Sequence, residues 1–235
     1  MAEIVTSVPR TVLAIYAHPD DPDVSAGGTL ASWAARGADV HVCICADGDK
    51  GSTDPAVDPQ ALVRRRRAEV AAAGAVLGVR AHYWLGRRDG EIEDTAELRG
   101  ALVALVRSLR PEAVVSPDPT AVFFGPSYVN HRDHRVLGWS ILDAVAPAAA
   151  NPHYFPGPDP AHSVAELYLS GTLEPDVWVD ITATIDAKAA AIACHISQVG
   201  EPGEWLRGVV RQRAEDAGIS AGVRYAEGFR RIVLG

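Results

Sequence analysis

Three cysteines in 235 residues cannot build a disulfide framework, which excludes the small stapled folds of secreted proteins. Cys43 and Cys45 alternate within an apolar run, where both would point to one sheet face as small buried side chains. A redox or metal role for them is the minority reading. No apolar stretch approaches the roughly 20 residues that span a bilayer. Met1–Arg10 carries Glu3 and Pro9 and lacks a basic-then-apolar layout, so no signal peptide is read there. Positive charge is also scarce: 22 lysines and arginines face 30 aspartates and glutamates, for a net charge of −8. An acidic surface repels phosphate backbones and argues against nucleic acid or an anionic membrane as the main partner. The one basic run, Arg64–Arg67, sits inside a helical pattern and is too short to reverse that. No internal repeat and no linker-like stretch is found, and 48% apolar with 22% charged residues is a globular composition. The expectation is a soluble, reduced, cytoplasmic protein with one domain over 1–235.

Thr11–Ala17 is the nearly continuous apolar run of a buried parallel strand, and Pro19 ends its ladder. A helix is expected from Ser25 to about Arg36, stopped by Gly37, then a strand over Val40–Ala46 that leaves through the polar glycine loop Asp47–Gly51. Gln60–Leu77 reads as a helix with a basic outer face and an Ala/Val inner face, closed by Gly78. His82–Leu85 (strand), Glu93–Leu109 (helix) and Ala113–Ser116 (strand) follow. Next come a proline-rich aromatic loop over Pro117–Asn130 and a helix from Asp133 to about Val145. Ala146–Ala161, with five prolines, reads as a long surface excursion. Strands over Glu166–Leu169 and Val177–Ile181 precede two helices, Ala183–Ser197 and Glu204–Gly218. This alternation predicts an α/β, three-layer Rossmann-like domain with a mainly parallel sheet and extra C-terminal strands and helices. Ligands of such sheets collect at the carboxyl ends of the strands. The loops His18–Asp21, Asp47–Asp49, Arg87–Asp89 and Asp118–His134 should therefore converge on one rim.

A buried strand ending in His18-Pro19-Asp20-Asp21 carries a large desolvation cost unless something positive compensates it. A divalent cation does this, with His18 and Asp21 as a close ligand pair and Asp20 free to act as a base. The alternative is an ordinary solvated turn in which Asp21 caps the next helix. In His131-Arg132-Asp133-His134, residues 131 and 134 can share one side of a helical turn, and Asp133 can accept from a histidine N–H or cap the helix. Alone this is a surface helix start. Two such clusters at strand exits of one sheet point to a shared metal site. Asp47–Asp49 and Asp89–Glu91 are turns by default, and Arg66 is solvated by position alone. His41, His82, His153 and His162 read as structural, and the role of His195 stays open. Gly27-Gly28-Thr29 lacks both the dinucleotide and the P-loop layout.

Ala17-His18-Pro19-Asp20-Asp21, Gly27-Gly28-Thr29-Leu30 and His131-x-Asp133-His134 resemble the PIG-L/LmbE-like family of zinc-dependent N-acetylglucosaminyl deacetylases. That family includes the N-acetylglucosaminyl-phosphatidylinositol, mycothiol and bacillithiol pathway enzymes. The likeness extends through Asp47–Gly51, Arg66-x-x-Glu69, Asp89-Gly90-Glu91 and His195-Ile196-Ser197-Gln198, and so covers most of the chain. It implies zinc ligands at His18, Asp21 and His134, with Asp20 as general base. It also implies that His131 stabilises the oxyanion or serves as acid, with Asp133 behind it keeping it cationic and oriented. Arg66 and Asp89 match positions of substrate contact. One departure is that Pro22-Asp23 follows the acidic pair where many members carry glutamate. Zinc suits two histidines and one carboxylate, and Fe²⁺ is compatible with the same ligands. The implied reaction removes an N-acetyl group from a small amino-sugar-type substrate by metal-activated water. The rivals are another amide or ester hydrolase on the same metal, and a non-catalytic metal-dependent carbohydrate-binding domain. The loop Phe123–Tyr128, with Tyr128, is expected to wall the site, with Tyr154, Phe155 and Trp205 as further candidates and core packing as the default for each. Several family members associate, so a homo-oligomer is compatible with the resemblance.

Overall fold

In the computed structural model, which describes residues 2–234, strands β1 (Glu3–Ile4) and β2 (Thr11–Tyr16) come first. Helix α1 (Asp21–Ala35), β3 (Asp39–Ala46), α2 (Pro59–Leu77), β4 (Ala81–Arg87), α3 (Ala96–Leu109) and β5 (Ala113–Pro117) continue the alternation. A short hairpin of β6 (Phe123–Phe124) and β7 (Tyr128–Val129) leads into α4 (Arg132–Asp143), which runs on into a π turn at Ala144–Ala149. Strands β8 (Glu166–Ser170) and β9 (Val177–Asp180), helices α5 (Ile185–Ala193), α6 (Ile196–Val199) and α7 (Glu204–Ala221), and β10 (Ala226–Val233) complete the fold.

Eight strands form one sheet in the order β1-β9-β10-β8-β5-β2-β3-β4, parallel throughout except where β10 runs against β8 and β9. The α/β expectation holds. Strand order reverses at β2: β3 and β4 extend the sheet to one side, β5 and β8 to the other. The crevice beyond the ends of β2 and β5 is thus the switch point where such sheets bind ligands. The period-2 alternation of the strands feeds two cores. Val12, Ala14, Tyr16, Val40, Val42 and Ile44 pack beneath α1, α5 and α7, while Leu13, Ile15, Cys43 and Cys45 pack beneath α3 and α4.

Local chemistry fixes the helix ends. Asp58 caps α2 by accepting from the Gln60 and Ala61 amides at 3.1 and 3.0 Å, and Gly78 takes the left-handed conformation at its end. Thr95 caps α3 through the Leu98 amide at 3.1 Å. Helix α1 begins at Asp21, a full turn before the expected Ser25, because Pro22 at its first turn needs no N–H partner. The final strand β10 was not expected, since Glu227, Arg230 and Arg231 break its apolar pattern; each finds a carboxylate or amide partner in the fold. The Ala146–Ala161 excursion is anchored from below: buried Arg107 donates to the carbonyls of Ala148, Ala149, Asn151, Tyr154 and Phe155. Among the described residues no helix is long and apolar enough to cross a membrane.

Candidate active site

The exit of β2 and the start of α4 meet at the switch point. The His18 amide donates to Asp21 Oδ2 at 2.8 Å, which folds the Pro19 turn back on itself. His134 lies in the first turn of α4. His18 Nδ1, His134 Nε2 and Asp21 Oδ2 form a triangle with sides of 3.2, 3.1 and 3.3 Å. The far nitrogen of each ring is engaged: His18 Nε2 stands 3.1 Å from Asp89 Oδ1 and 3.3 Å from Asp133 Oδ2, and His134 Nδ1 stands 3.0 Å from Asn130 Oδ1. Asn130 Nδ2 donates to the Ala121 carbonyl at 2.7 Å, which fixes the amide's orientation. These acceptors put the ring protons on the outer nitrogens, so both inner nitrogens turn lone pairs toward a carboxylate oxygen. Three acceptors facing one another repel unless a proton or a metal ion lies among them, and without a metal the proton on His18 fills that place.

The ionisation states report the same demand. Burial opposes charge on His18, but Asp21, Asp133 and Asp89 outweigh it and push its pKa up to about 12. Burial alone would raise Asp21, yet His134 and His18 hold it well below the usual carboxylate range. Donor atoms about 2.0–2.1 Å from a tetrahedral ion stand about 3.3–3.4 Å apart, close to the triangle's sides. Two imidazoles and one carboxylate, each imidazole backed by an oxygen acceptor, therefore fit a divalent metal.

Around the triangle, Asp133 is fully buried and its carboxylate accepts from the Gly90 amide at 2.7 Å and the Ile92 amide at 3.3 Å besides facing His18. It is turned toward His18 rather than His131. What His131 receives from residue 133 is the backbone N–H, at 3.1 Å on Nδ1. Burial, followed by the charge of His18, lowers the His131 pKa below its ordinary value. Its ring stands edge-on to His18, with centroids 4.7 Å apart. Arg66, expected to be solvated by its position, is 2% exposed. Its NH2 donates to Asp20 Oδ1 at 2.7 Å, and its NH1 to the Gly48 carbonyl at 3.3 Å. Asp20 takes the N-cap position of α1 without capping it, because its side chain is turned to Arg66. The glycine loop exists to let that arginine through: a Cβ at Gly48, whose φ is +71°, would lie 2.3 Å from NH1, and one at Gly51 2.6 Å. The cleft over these groups measures about 750 Å³, with Tyr16, Asp20, Asp21, Phe124, Tyr128 and His134 among its walls.

Residues 13–145 match the family model PIG-L, GlcNAc-PI de-N-acetylase. The chain belongs to the PIG-L family. A diacetylchitobiose deacetylase of Thermococcus kodakarensis is 34% identical over 227 residues, covering 94% of this chain and 82% of that protein. A 1D-myo-inositol 2-acetamido-2-deoxy-alpha-D-glucopyranoside deacetylase of a Mycobacterium species is 33% identical, covering 82% of this chain and 75% of the relative. Among solved structures, the N,N'-diacetylchitobiose deacetylase of Pyrococcus horikoshii superimposes with a TM-score of 0.87 at 33% identity, covering 96% of this chain and 84% of that one.

Outside the core of this PIG-L site some expectations change. Phe124 and Tyr128 do wall the cleft, but Tyr154 and Phe155 belong to the segment held by Arg107, and Trp205 lines a neighbouring trough instead. His195 is fully buried with Nε2 2.6 Å from Asp23 Oδ2, a partner 172 positions away that directly follows Pro22, the residue after the acidic pair. Beside it Ser197 bonds Glu69 through its amide and hydroxyl at 2.8 and 2.5 Å, and Gln198 Nε2 reaches the Gly51 carbonyl at 3.2 Å. This C-terminal stretch thereby braces α2 and the glycine loop. Asn130 and Arg213 are site residues that sequence reasoning missed. The signal for Asn130 was its place one residue before the histidine pair; for Arg213 there was none.

Proposed function

We propose that this PIG-L chain removes the N-acetyl group of a small amino-sugar-type substrate, with zinc held by His18, Asp21 and His134. The chain is a deacetylase, a hydrolase of amide bonds. The observation that carries the reading is the acceptor triangle with an extra carboxylate, Asp20, beside it on the cleft wall. A bound divalent ion supplies Lewis acidity, acidifying water and polarising the acetyl carbonyl. Asp20 has one oxygen held by Arg66, while Oδ2 has no donor among the described residues, which supports its taking the proton of an attacking water. His131 accepts at Nδ1, so its hydrogen resides on Nε2 and is available to the oxyanion or the departing amine. An aimed donor of this kind is worth about 3–4 kcal/mol. Arg66 and Asp89, which the family likeness matches to substrate contacts, also hold Asp20 and His18 in place. Tyr128 and Phe124 give the sugar its wall.

Two histidines and one carboxylate favour zinc, and Fe²⁺ fits the same donors. One sheet running through both halves supports reading 1–235 as a single domain. Three free cysteines suit a reducing cytoplasm, and a homo-oligomer is proposed from the family likeness. The test is release of free amine across a panel of N-acetyl sugars, with zinc and with chelator. Activity should require the metal. Asp20→Asn should retain it while kcat drops about 10²–10⁴-fold; wild-type turnover by that variant would remove Asp20 from its role.

A further inference from the structure

Helix α6 is a single turn with no buried residue, so core packing does not explain it. What it makes instead are polar contacts, and they reach three separate elements. His195, directly before the turn and fully buried, stands 2.6 Å from Asp23 on α1. Ser197 gives its amide and its hydroxyl to the two oxygens of Glu69 on α2. Gln198 Nε2 donates to the Gly51 carbonyl in the glycine loop. The His195 carbonyl accepts the Gln198 and Val199 amides at 2.8 and 3.0 Å, which ties the three side chains into one hydrogen-bonded turn. Asp23 comes three residues after Asp20, and Glu69 three residues after Arg66. Residues at that spacing share a helix face. The turn therefore grips both helices one step along from the Asp20–Arg66 pair, which is joined at 2.7 Å.

We infer that His195 and Ser197 are positioning residues for the reaction: through α6 they set α1 against α2, and thereby the aim of Asp20. The inference rests on the deacetylase reading. Arg66 does not fix that aim by its own bonds. Its Nε is buried without a partner among the described residues, and its NH1 bond to the Gly48 carbonyl is long at 3.3 Å. The place of its guanidinium is decided by the helix that carries it and the loop that it threads. The turn holds both, since Gln198 and Arg66 NH1 lie 3.2 and 2.6 Å from where a Cβ on Gly51 would stand. Asp21 depends on the turn less, because the His18 amide holds its carboxylate at 2.8 Å. Loosening α6 should thus cost turnover and spare the metal.

The experiment follows amine release by the zinc-loaded protein in a double-mutant cycle of His195→Ala with Asp20→Asn. Alone, His195→Ala should lower kcat about 10- to 100-fold with metal content unchanged in elemental analysis. On top of Asp20→Asn it should cost less than about twofold, because the base whose aim it sets is gone. His195→Gln keeps a donor where Nε2 stands and should recover most of the loss. Ser197→Ala removes one oxygen from a half-buried residue and should show the same coupling at smaller amplitude. It decides the matter if His195→Ala does not fold. Equal losses in both backgrounds, no loss at all, or loss of the metal overturns the positioning role and leaves deacetylation standing. Amide hydrogen exchange supplies a reading that needs no turnover. The Val24 N–H on the Asp20 carbonyl and the Gly51 N–H on the Gly48 carbonyl should exchange at least about tenfold faster in His195→Ala and Ser197→Ala, with α3 amides unaffected. Faster exchange in a protein whose wild type releases no amine supports the grip of α6 and overturns the deacetylase reading. Unchanged exchange at both amides overturns the inference whether or not amine is released.

Discussion

Arg107 and the His18–Asp21–His134 triangle both put charge where water is scarce, and they resolve it in opposite ways. Arg107 is 4% exposed, and five backbone carbonyls at 2.8–3.1 Å surround its guanidinium. The cation there is part of the chain. At the triangle three acceptors approach within 3.3 Å of one another with both outer ring nitrogens already engaged. The cation there has to come from outside. The first arrangement holds a proline-rich segment onto α3; the second is strained until it is filled, and that is the condition of a binding centre. Buried charge thus marks function only where the protein withholds the partner.

That contrast can be broken by experiment. His134→Ala should abolish tightly bound metal, measured by elemental analysis, and lower kcat/KM by about 10⁴-fold or more. In chelator the same variant should melt close to wild type, because the protonated His18 still pairs with Asp21; a large drop in melting point would show the triangle to be self-sufficient without metal. Arg107→Leu should do the reverse. Its five carbonyls lose their donor, and chemical denaturation should register a loss of about 3–5 kcal/mol with metal content unchanged. Asp133→Asn sharpens the distinction, since it weakens the acceptor behind His18 without touching a candidate ligand. Metal affinity, read by competition with a chromogenic chelator, should fall about 10–100-fold. The smallest effect belongs to Gly48→Ala, where the new methyl displaces the Arg66 guanidinium and loosens Asp20. Turnover should fall about tenfold with metal retained, and an unchanged kcat would mean that Arg66 does not position the base.

The sequence made the triangle's members visible because the chemistry is local: His18 and Asp21 share one turn, and His134 opens one helix. The parallel half of the fold was legible for a related reason, since strands such as Val12–Tyr16 are apolar on both faces. Arg66 was misread by position because its partners are a carboxylate 46 residues away and a loop in which two glycines leave room for the guanidinium and one accepts from it through its carbonyl. Asp133 was assigned to its sequence neighbour His131, yet its carboxylate is aimed across the rim at His18 and at two amides following β4. Strand β10 was hidden by its charges. Glu227 and Arg231 sit in a sheet only because Lys188, Glu3 and Glu166 await them there, and such pairings have no signature in a single segment.

Glu227 also imposes an order on biosynthesis. Its carboxylate receives the amides of Gly28 and Thr29, in the helix that begins with Asp21, from 199 and 198 residues downstream. A ribosome moving from the amino end therefore releases the histidine and aspartates of the β2 exit long before their helix acquires its clamp. The brace on the helix that opens with Asp21 is therefore complete only once β10 has entered between β8 and β9.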